Sequence, residues 1–363
     1  MRLFLIGAGV IARTHAAAAA KLDEPVELHV ADPAPAALES FRAAYPEAKT
    51  YGDAAEMLNK TPALDDDIVI VATPPFAHLD GVRLALGSGR HTLCEKPLAM
   101  NVAQAEEMER LAAEKGRLFG CCAVRYKGML HNEAVKRVVA SGALGDIYHV
   151  TFVNKWERSR AGIEYQPQSR WFLNRELSGG GIAMDWGPYD VATLVDVLSP
   201  ASIDIVAAWA AKPETAVDPR DVLYDVEHHI GAYFTFRGGV GGGGPIAVHY
   251  ERGTCTHGKE QFVAEIEGTR GAVRWTPYDS RQPVFLRTDR DGVVVEETVD
   301  PGERGPFTVM DLPLVHFSRR VRGLPSPANV NRRAVDHFRV VRALYDAAAS
   351  GERRTISMTP EEV

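Results

Sequence analysis

Residues 1–123 alternate short β-rich runs with helical patterns, and this alternation constrains the fold more than any other feature of the chain. RLFLIG is followed by IARTHAAAAAKL, VELHVAD by PAALESFRAAY, DIVIVAT by FAHLDGVRLAL, and HTLCE by VAQAEEMERLAAEKG, before a last run RLFGCCAV. Strands joined by right-handed helical crossovers run parallel with helices on both faces, so a doubly wound α/β domain is predicted over 1–123. Beyond GMLHNEAVKRVVASG the character changes to longer strand-like runs: DIYHVTFVNKW, SIDIVAAWAAK, EHHIGAYFTF, IAVHYERG, FVAEIEG, GAVRWT, PVFLRTD and GVVVEETV. Successive strands linked by turns predict an α+β domain over 124–363, built on an open, largely antiparallel sheet. NRRAVDHFRVVRALYDAAASG reads as a final amphipathic helix ended by Gly351. GGVGGGGP at 238–245 precedes neither Lys-Ser/Thr nor a helix, so it reads as a hairpin connection and not a phosphate loop.

Two domains also suit a chain of 363 residues. The net charge of -7 argues against a nucleic-acid groove or an anionic membrane surface, either of which needs clustered Lys and Arg. A small-molecule partner is the expectation. The N-terminal MRLFLI is apolar, but Gly-Ala-Gly and then helix formers follow where a signal peptide would have its cleavage site. No apolar run reaches the roughly 18 residues of a membrane span. Cys94, Cys121, Cys122 and Cys255 form no C-x-x-C pair and read as reduced, mostly buried thiols of a cytoplasmic protein; no metal site is expected.

GAGVIA at 7–12 fits G-x-G-x-x-A directly after the first strand and at the start of the first helix. Gly7 allows the tight turn, Gly9 lets a pyrophosphate approach the backbone, and Ala12 permits close packing of helix on sheet. Val10 and Ile11 complete the turn, and the helix N-terminus attracts the anion. Asp32, at the end of the second strand, can accept both hydroxyls of an adenosine ribose, and its charge repels a 2'-phosphate. Pro33 and Ala34 follow it with no Arg, so NAD is favoured as cofactor, with NADP as the alternative. Thr73 and Pro74 end the DIVIVAT strand and would lie beside the dinucleotide. His78 follows and reads as an exposed or capping residue. Glu95 and Lys96, in CEKPL, end another strand at the same sheet edge, which aims Lys96 at the nicotinamide end of the cleft.

Residues 185–190, DWGPYD, follow the glycine run GGGIAM and precede the helical pattern VATLVDVL. One reading is a capped turn, with Asp185 and Asp190 serving helix starts and Pro188 fixing the first turn. The other is an active site, with Tyr189 as acid/base and Asp185 orienting a substrate.

GAGVIA, the strand-end Asp32, ATPP, EKP, Arg125-Tyr126 and GGGIAMDWGPYD together resemble the Gfo/Idh/MocA oxidoreductases, and the likeness covers essentially the whole chain. The resemblance implies a Rossmann domain followed by an α+β domain whose sheet commonly forms the interface of a homodimer or homotetramer. It implies that Lys96 contacts substrate and nicotinamide ribose, and that Asp185 is the acid of a D-x-G-x-H/Y pattern. Many members carry His at the last position of that pattern. Tyr189 instead resembles the branches with a tyrosine acid/base, such as glucose-fructose oxidoreductase, dimeric dihydrodiol dehydrogenase and sugar ketoreductases, which speaks against inositol dehydrogenase activity. The function implied is hydride transfer between nicotinamide and a secondary alcohol or ketone of a sugar, cyclitol or glycoside. Arg125, Tyr126, Asn154, Trp156, Arg170 and Trp171 are the candidates for the sugar pocket, with Lys96, Asp185 and Tyr189. Two rivals are an NAD-dependent glycosidase that oxidises its sugar only transiently, and a non-catalytic sugar-responsive regulator. ISMTPEEV closes the chain where relatives often continue into another helix.

Overall fold

A computed structural model describes residues 1–157, 167–212 and 223–360. The chain divides into two compact units, Met1–Arg125 with Pro306–Phe338, and Tyr126–Gly305 with Arg339–Val363.

In the first unit β1 (Arg2–Ile6), α1 (Val10–Ala19), β2 (Glu27–Ala31), α2 (Pro35–Ala44), β3 (Lys49–Tyr51), α3 (Ala54–Asn59) and β4 (Ile68–Val71) follow one another. They continue into α4 (His78–Gly87), β5 (His91–Cys94), α5 (Val102–Lys115) and β6 (Phe119–Cys121). The strands form one all-parallel sheet in the order β3-β2-β1-β4-β5-β6. The order reverses between β1 and β4, which opens the ligand crevice of a doubly wound sheet at the carboxyl ends of those strands. The central strands are apolar at nearly every position, as strands covered on both faces must be: Ile68, Val69, Ile70 and Val71 are all fully buried.

The second unit opens with α6 (Leu130–Ala140), β7 (Ile147–Glu157), α7 (Arg175–Ser178), α8 (Ile182–Asp185) and α9 (Gly187–Leu198). Then come β8 (Ser202–Ala211), β9 (His229–Arg237), β10 (Ile246–Thr256), β11 (Gln261–Gly268), β12 (Gly271–Trp275), β13 (Val284–Arg290) and β14 (Val293–Val299). The last elements of the chain are α10 (Leu312–Val321), α11 (Arg332–Ser350) and β15 (Arg354–Ser357). The second sheet has nine strands in the order β14-β13-β12-β11-β7-β10-β9-β8-β15, antiparallel at every pairing except β7 with β10. Burial follows the two-residue period of a half-covered strand: Ile246, Val248, Tyr250 and Arg252 of β10 face inward, while Ala247, His249 and Glu251 lie on the open face. That open face leaves Tyr148, Trp209 and Tyr233 about half exposed.

The glycine run at 238–245 joins β9 to β10 as an antiparallel connection, and Gly351 ends α11 with a positive φ, both as the sequence predicts. Cys94, Cys121, Cys122 and Cys255 are buried thiols. Six elements lie outside the sequence reading: β3, α3, α7, α8, α10, and β15, which pairs with β8 at the sheet edge. The units also differ from a single cut at 123, because Pro306–Phe338 packs with the first. The reason is apolar: Leu314 and Phe317 of α10 join the core built by Leu3, Leu5, Val30, Ile70 and Leu93. Backbone pairing adds to it, with Asn331 N donating to Phe119 O at 2.6 Å and Phe119 N donating to Asn331 Oδ1 at 3.0 Å.

Candidate active site

The first unit gathers the predicted cofactor residues along one edge, each just past the carboxyl end of a parallel strand: Gly7 after β1, Asp32 after β2, Thr73 after β4, and Glu95 and Lys96 after β5. Gly7 has φ of 105°, and a Cβ there would lie 2.7 Å from the Ala72 carbonyl oxygen, so only glycine fits. At Gly9 the opposite holds. Beyond its chain neighbours, no atom of the described residues lies within 4 Å of where a Cβ would be, so the turn is open to a ligand. Among the described residues no side chain caps α1 and no acid sits in its first turn, which leaves its N–H groups to an anion. Val10 is 75% exposed beside this opening, Ile11 is partly buried, and Ala12 packs in the core.

The Asp32 carboxylate accepts from Ala8 N at 2.9 Å and from Ala34 N at 2.8 Å, which fixes it against the glycine turn. Its remaining lone pairs suit ribose hydroxyls. These residues fit a dinucleotide: the glycine turn and the α1 N-terminus would hold the pyrophosphate, and Asp32 the adenosine ribose.

His78 departs from the sequence reading in its burial. It is fully buried, not exposed, and it both caps the 3-10 turn at Pro75–Ala77 and begins α4. Its Nε2 lies 2.9 Å from Thr73 O, and its Nδ1 lies 2.9 Å from Pro97 O and 3.3 Å from Leu98 O. Burial lowers the imidazole pKa, against the pull of these carbonyls and of Glu95. The ring therefore braces the two turns that carry Thr73, Pro74 and Lys96.

Glu95 is the buried anchor of the EKP turn. Its Oε2 accepts from Lys96 N at 3.1 Å, and its Oε1 lies 2.8 Å from His15 Nε2 and 3.3 Å from Arg125 Nη2. Burial works to raise its pKa, but the Arg125 charge and the His15 hydrogen bond outweigh it and hold the carboxyl well below the ordinary range. Arg125, expected in the sugar pocket, is buried and pairs with Glu95. His15, Glu95 and Cys122 bring ligand-type atoms within 4.8 Å of one another. Arg125 and Lys96 place positive charge beside the carboxylate of this cluster.

In the second unit the glycine run explains itself by close approach. A Cβ on Gly181 would lie 1.7 Å from Glu227 O, and one on Gly180 would lie 2.3 Å from the Tyr345 hydroxyl. The Glu227 carboxylate accepts from Gly181 N at 2.9 Å, Ala183 N at 3.1 Å and the Tyr345 hydroxyl at 2.6 Å. This clamp sets the start of α8, whose last residue is the buried Asp185. Pro188 lies in the first turn of α9 as predicted.

Tyr189 is 3% exposed in that same turn, and its ring is held edge-on by Tyr126 (centroids 5.3 Å apart, 88°) and Trp186 (5.6 Å, 75°). Asp190 lies in the first turn of α9, as predicted, but its carboxylate is bonded to other elements and caps no helix N–H among the described residues. It is fully buried and accepts at Oδ2 from the Tyr250 hydroxyl at 2.8 Å and Arg252 Nε at 2.9 Å, and at Oδ1 from Arg252 Nη2 and the Tyr278 hydroxyl. Burial opposes the charge on Arg252, but Asp190 holds it firmly protonated. Burial, and then Asp190, push the phenols of Tyr250 and Tyr278 well above their ordinary range, so both remain donors.

Of the predicted sugar-pocket residues, Tyr126 meets Tyr189 directly. Asn154 is buried on β7, two positions from Phe152 and from Trp156 along the strand. The Trp156 ring packs against Phe262 and the Trp171 ring stacks on Phe172, while Arg170 is exposed. Trp186, Glu227, Arg252 and Tyr278 escaped the sequence reading. One signal was available: Arg252 falls on the inward period of β10, where an unpartnered charge could not stand.

The crevice, the fingerprint and the strand-end acid define a dinucleotide-binding protein of the Rossmann class. A model of an oxidoreductase family with an NAD-binding Rossmann fold, GFO_IDH_MocA, matches residues 1–122, and the GFO/IDH/MocA C-terminal domain matches residues 132–274. The chain belongs to the GFO/IDH/MocA family of oxidoreductases, and its first domain is the family's NAD-binding domain. It is 29% identical to the D-glucoside 3-dehydrogenase of Escherichia coli (strain K12) over 57% of each chain, so the match spans little more than half of that relative. It is 25% identical to the 1,5-anhydro-D-fructose reductase of Ensifer adhaerens over 80% of each. In fold it is similar to a levoglucosan dehydrogenase solved with NADH and L-sorbose, with a TM-score of 0.79 at 18% identity over 99% of both chains. No helix among the described residues is long and apolar enough to cross a membrane.

Proposed function

We propose that the protein is an NAD-dependent dehydrogenase or reductase acting on a secondary alcohol or ketone of a sugar, cyclitol or glycoside. Bound nicotinamide supplies the hydride acceptor or donor. The chain's own part is the proton and the position. In oxidation Tyr189 takes the hydroxyl proton, and in reduction it returns it. Lys96 holds the reacting oxygen and favours the phenolate by its charge, while Asp185 accepts from neighbouring hydroxyls and so orients the ring. Tyr126 and Asn154 contribute to the sugar pocket.

The observation that carries this reading is the placement of Tyr189, fixed edge-on between two aromatic rings in the first turn of α9, four positions after Asp185. A fixed ring gives the phenol oxygen a fixed position, which proton transfer requires. The relatives named for redox chemistry at D-glucosides and 1,5-anhydro-D-fructose support the substrate class.

The test is a screen of free sugars, cyclitols, glycosides and keto-sugars with NAD(H) and NADP(H), followed at the nicotinamide absorbance. Net NADH formation or consumption is expected. Cleavage of a glycoside without net NADH would instead establish the glycosidase, and sugar binding without either change the regulator. We further propose a homodimer or homotetramer formed through the open sheet face bearing Tyr148, Trp209 and Tyr233. Analytical ultracentrifugation at micromolar concentration tests it, and a monomer would refute it.

A further inference from the structure

We propose that Tyr278, which no motif marks, is the positioning residue for Tyr189: it ties the Asp190 carboxylate to the two rings that hold the phenol. The proposal rests on the reading of Tyr189 as acid/base. Asp190 follows Tyr189 on α9, and its carboxylate is bound to Tyr250 and Arg252 of β10, so the helix is fastened to the sheet one residue from the phenol. Tyr278 enters from the turn after β12 and donates its hydroxyl to the same carboxylate.

Its ring then meets Tyr126 with centroids 4.4 Å apart and Trp186 at 5.5 Å, at 60° and 62°. These are the two rings that meet Tyr189 edge-on. The circuit closes on itself: Tyr189 to its neighbour Asp190, across to Tyr278, and back through Tyr126 and Trp186. The Arg252 guanidinium carbon lies 5.0 Å from the Trp186 ring centre and 5.4 Å from that of Tyr278, which adds a cation–π contact behind both rings. For the Tyr189 ring to shift sideways, a ring backed by Tyr278 must move, and Tyr278 is anchored by a charge-assisted hydrogen bond. Packing alone would not call for a hydroxyl here, because Asp190 already has Arg252 and Tyr250 as donors.

Two measurements test it. The first needs no substrate: the protein is labelled with ζ-13C tyrosine, and the Tyr189 resonance is identified by its loss in Tyr189→Phe. A single narrow line is expected, which shifts or broadens in Tyr278→Leu and, to a smaller extent, in Tyr278→Phe, which keeps the ring but loses the bond to Asp190. An unchanged Tyr189 line in Tyr278→Leu would overturn the proposal.

The second is a double-mutant cycle, run with saturating NAD on the sugar turned over fastest in the screen above. Tyr278→Leu should lower kcat by roughly 10- to 100-fold, the scale on which a displaced catalytic group loses rate. Sugar KM and NAD affinity should stay within about twofold, and Tyr278→Phe should lose less. In the Tyr189→Phe background the effect of Tyr278→Leu should shrink below about threefold, because residues acting as a unit are not additive. An equal loss in both backgrounds, or a loss confined to KM, would overturn the proposal while leaving the role of Tyr189 intact. Native turnover in Tyr189→Phe would instead overturn the underlying reading. If Tyr278→Leu fails to fold, Tyr278→Phe carries both comparisons.

Discussion

His15 Nε2, on the buried face of α1, lies 2.8 Å from Glu95 Oε1 at the end of β5, so the helix that begins at the glycine turn is tied to the turn that carries Lys96. Glu95 is held below its ordinary range mainly because the Arg125 charge and the His15 hydrogen bond outweigh burial. A carboxylate depressed in the folded state adds stability that is fully present above its unfolded pKa of about 4.3 and is lost as pH falls through the folded value. Glu95→Gln should therefore flatten the acid limb of the stability profile. At neutral pH it should cost on the order of 3 kcal/mol, because it strips a buried guanidinium of this carboxylate. Urea unfolding of both proteins from pH 7 down to pH 3 measures this, and parallel profiles would refute it.

The two fingerprint glycines should fail in different ways. Gly7→Ala meets the Ala72 carbonyl at a positive φ and should destabilise the fold by roughly 1–3 kcal/mol. Gly9→Val meets open space and should unfold like the native chain, yet raise the Kd for NAD by about tenfold or more, because it occupies the approach to the backbone. Thermal unfolding and calorimetric titration separate the two effects.

Asp32 should set the cofactor preference. NAD(H) should bind more tightly than NADP(H), and Asp32→Ser should narrow the gap. The same change should also weaken NAD binding, since it removes the carboxylate that accepts from Ala8 N. Calorimetry with both cofactor pairs checks this, and a preference unchanged in the variant would show that another group decides it.

Lys96→Met and Tyr189→Phe should each lower turnover by roughly 10²-fold or more, the scale of losing a well-placed acid/base or electrostatic group, with little change in melting temperature. Tyr189→His should retain part of the activity, since imidazole can also carry the proton. Steady-state kinetics on a substrate from the screen decide the matter. Near-native turnover in Tyr189→Phe would move the base to Asp185 or a bound water.

What could be read along the chain was whatever is written locally. The strand-turn-helix of GAGVIA, the acid ending the next strand and the turns after DIVIVAT and HTLCE each need only neighbours in sequence, and the parallel sheet brings them to one edge. His78 could not be read in the same way, because its burial depends on Pro97 and Leu98, which belong to another crossover. Asp190 is the helix-start acid it reads as, but its further partners Tyr250, Arg252 and Tyr278 could not be read, because they lie on a strand and a turn far along the chain. The reason for glycine at 180 and 181 could not be read locally, because it is close approach of the Tyr345 hydroxyl and the Glu227 backbone. LPLVHFSRRV carries an amphipathic period, but nothing within it says which core its apolar stripe will join.

That last feature bears on how the protein is made. The nucleotide-binding unit is the first to leave the ribosome, yet the segment that completes its core, Pro306–Phe338, emerges only after residues 126–305 have been synthesised. At about 5–20 residues per second, the nascent unit must wait roughly 10 to 40 s with the surface destined for Leu314 and Phe317 uncovered. Throughout that interval it exposes apolar surface that the finished fold covers. A nonsense codon before residue 306 would leave it permanently unfinished, and grafting this cofactor domain onto another enzyme requires two pieces of the chain, not one.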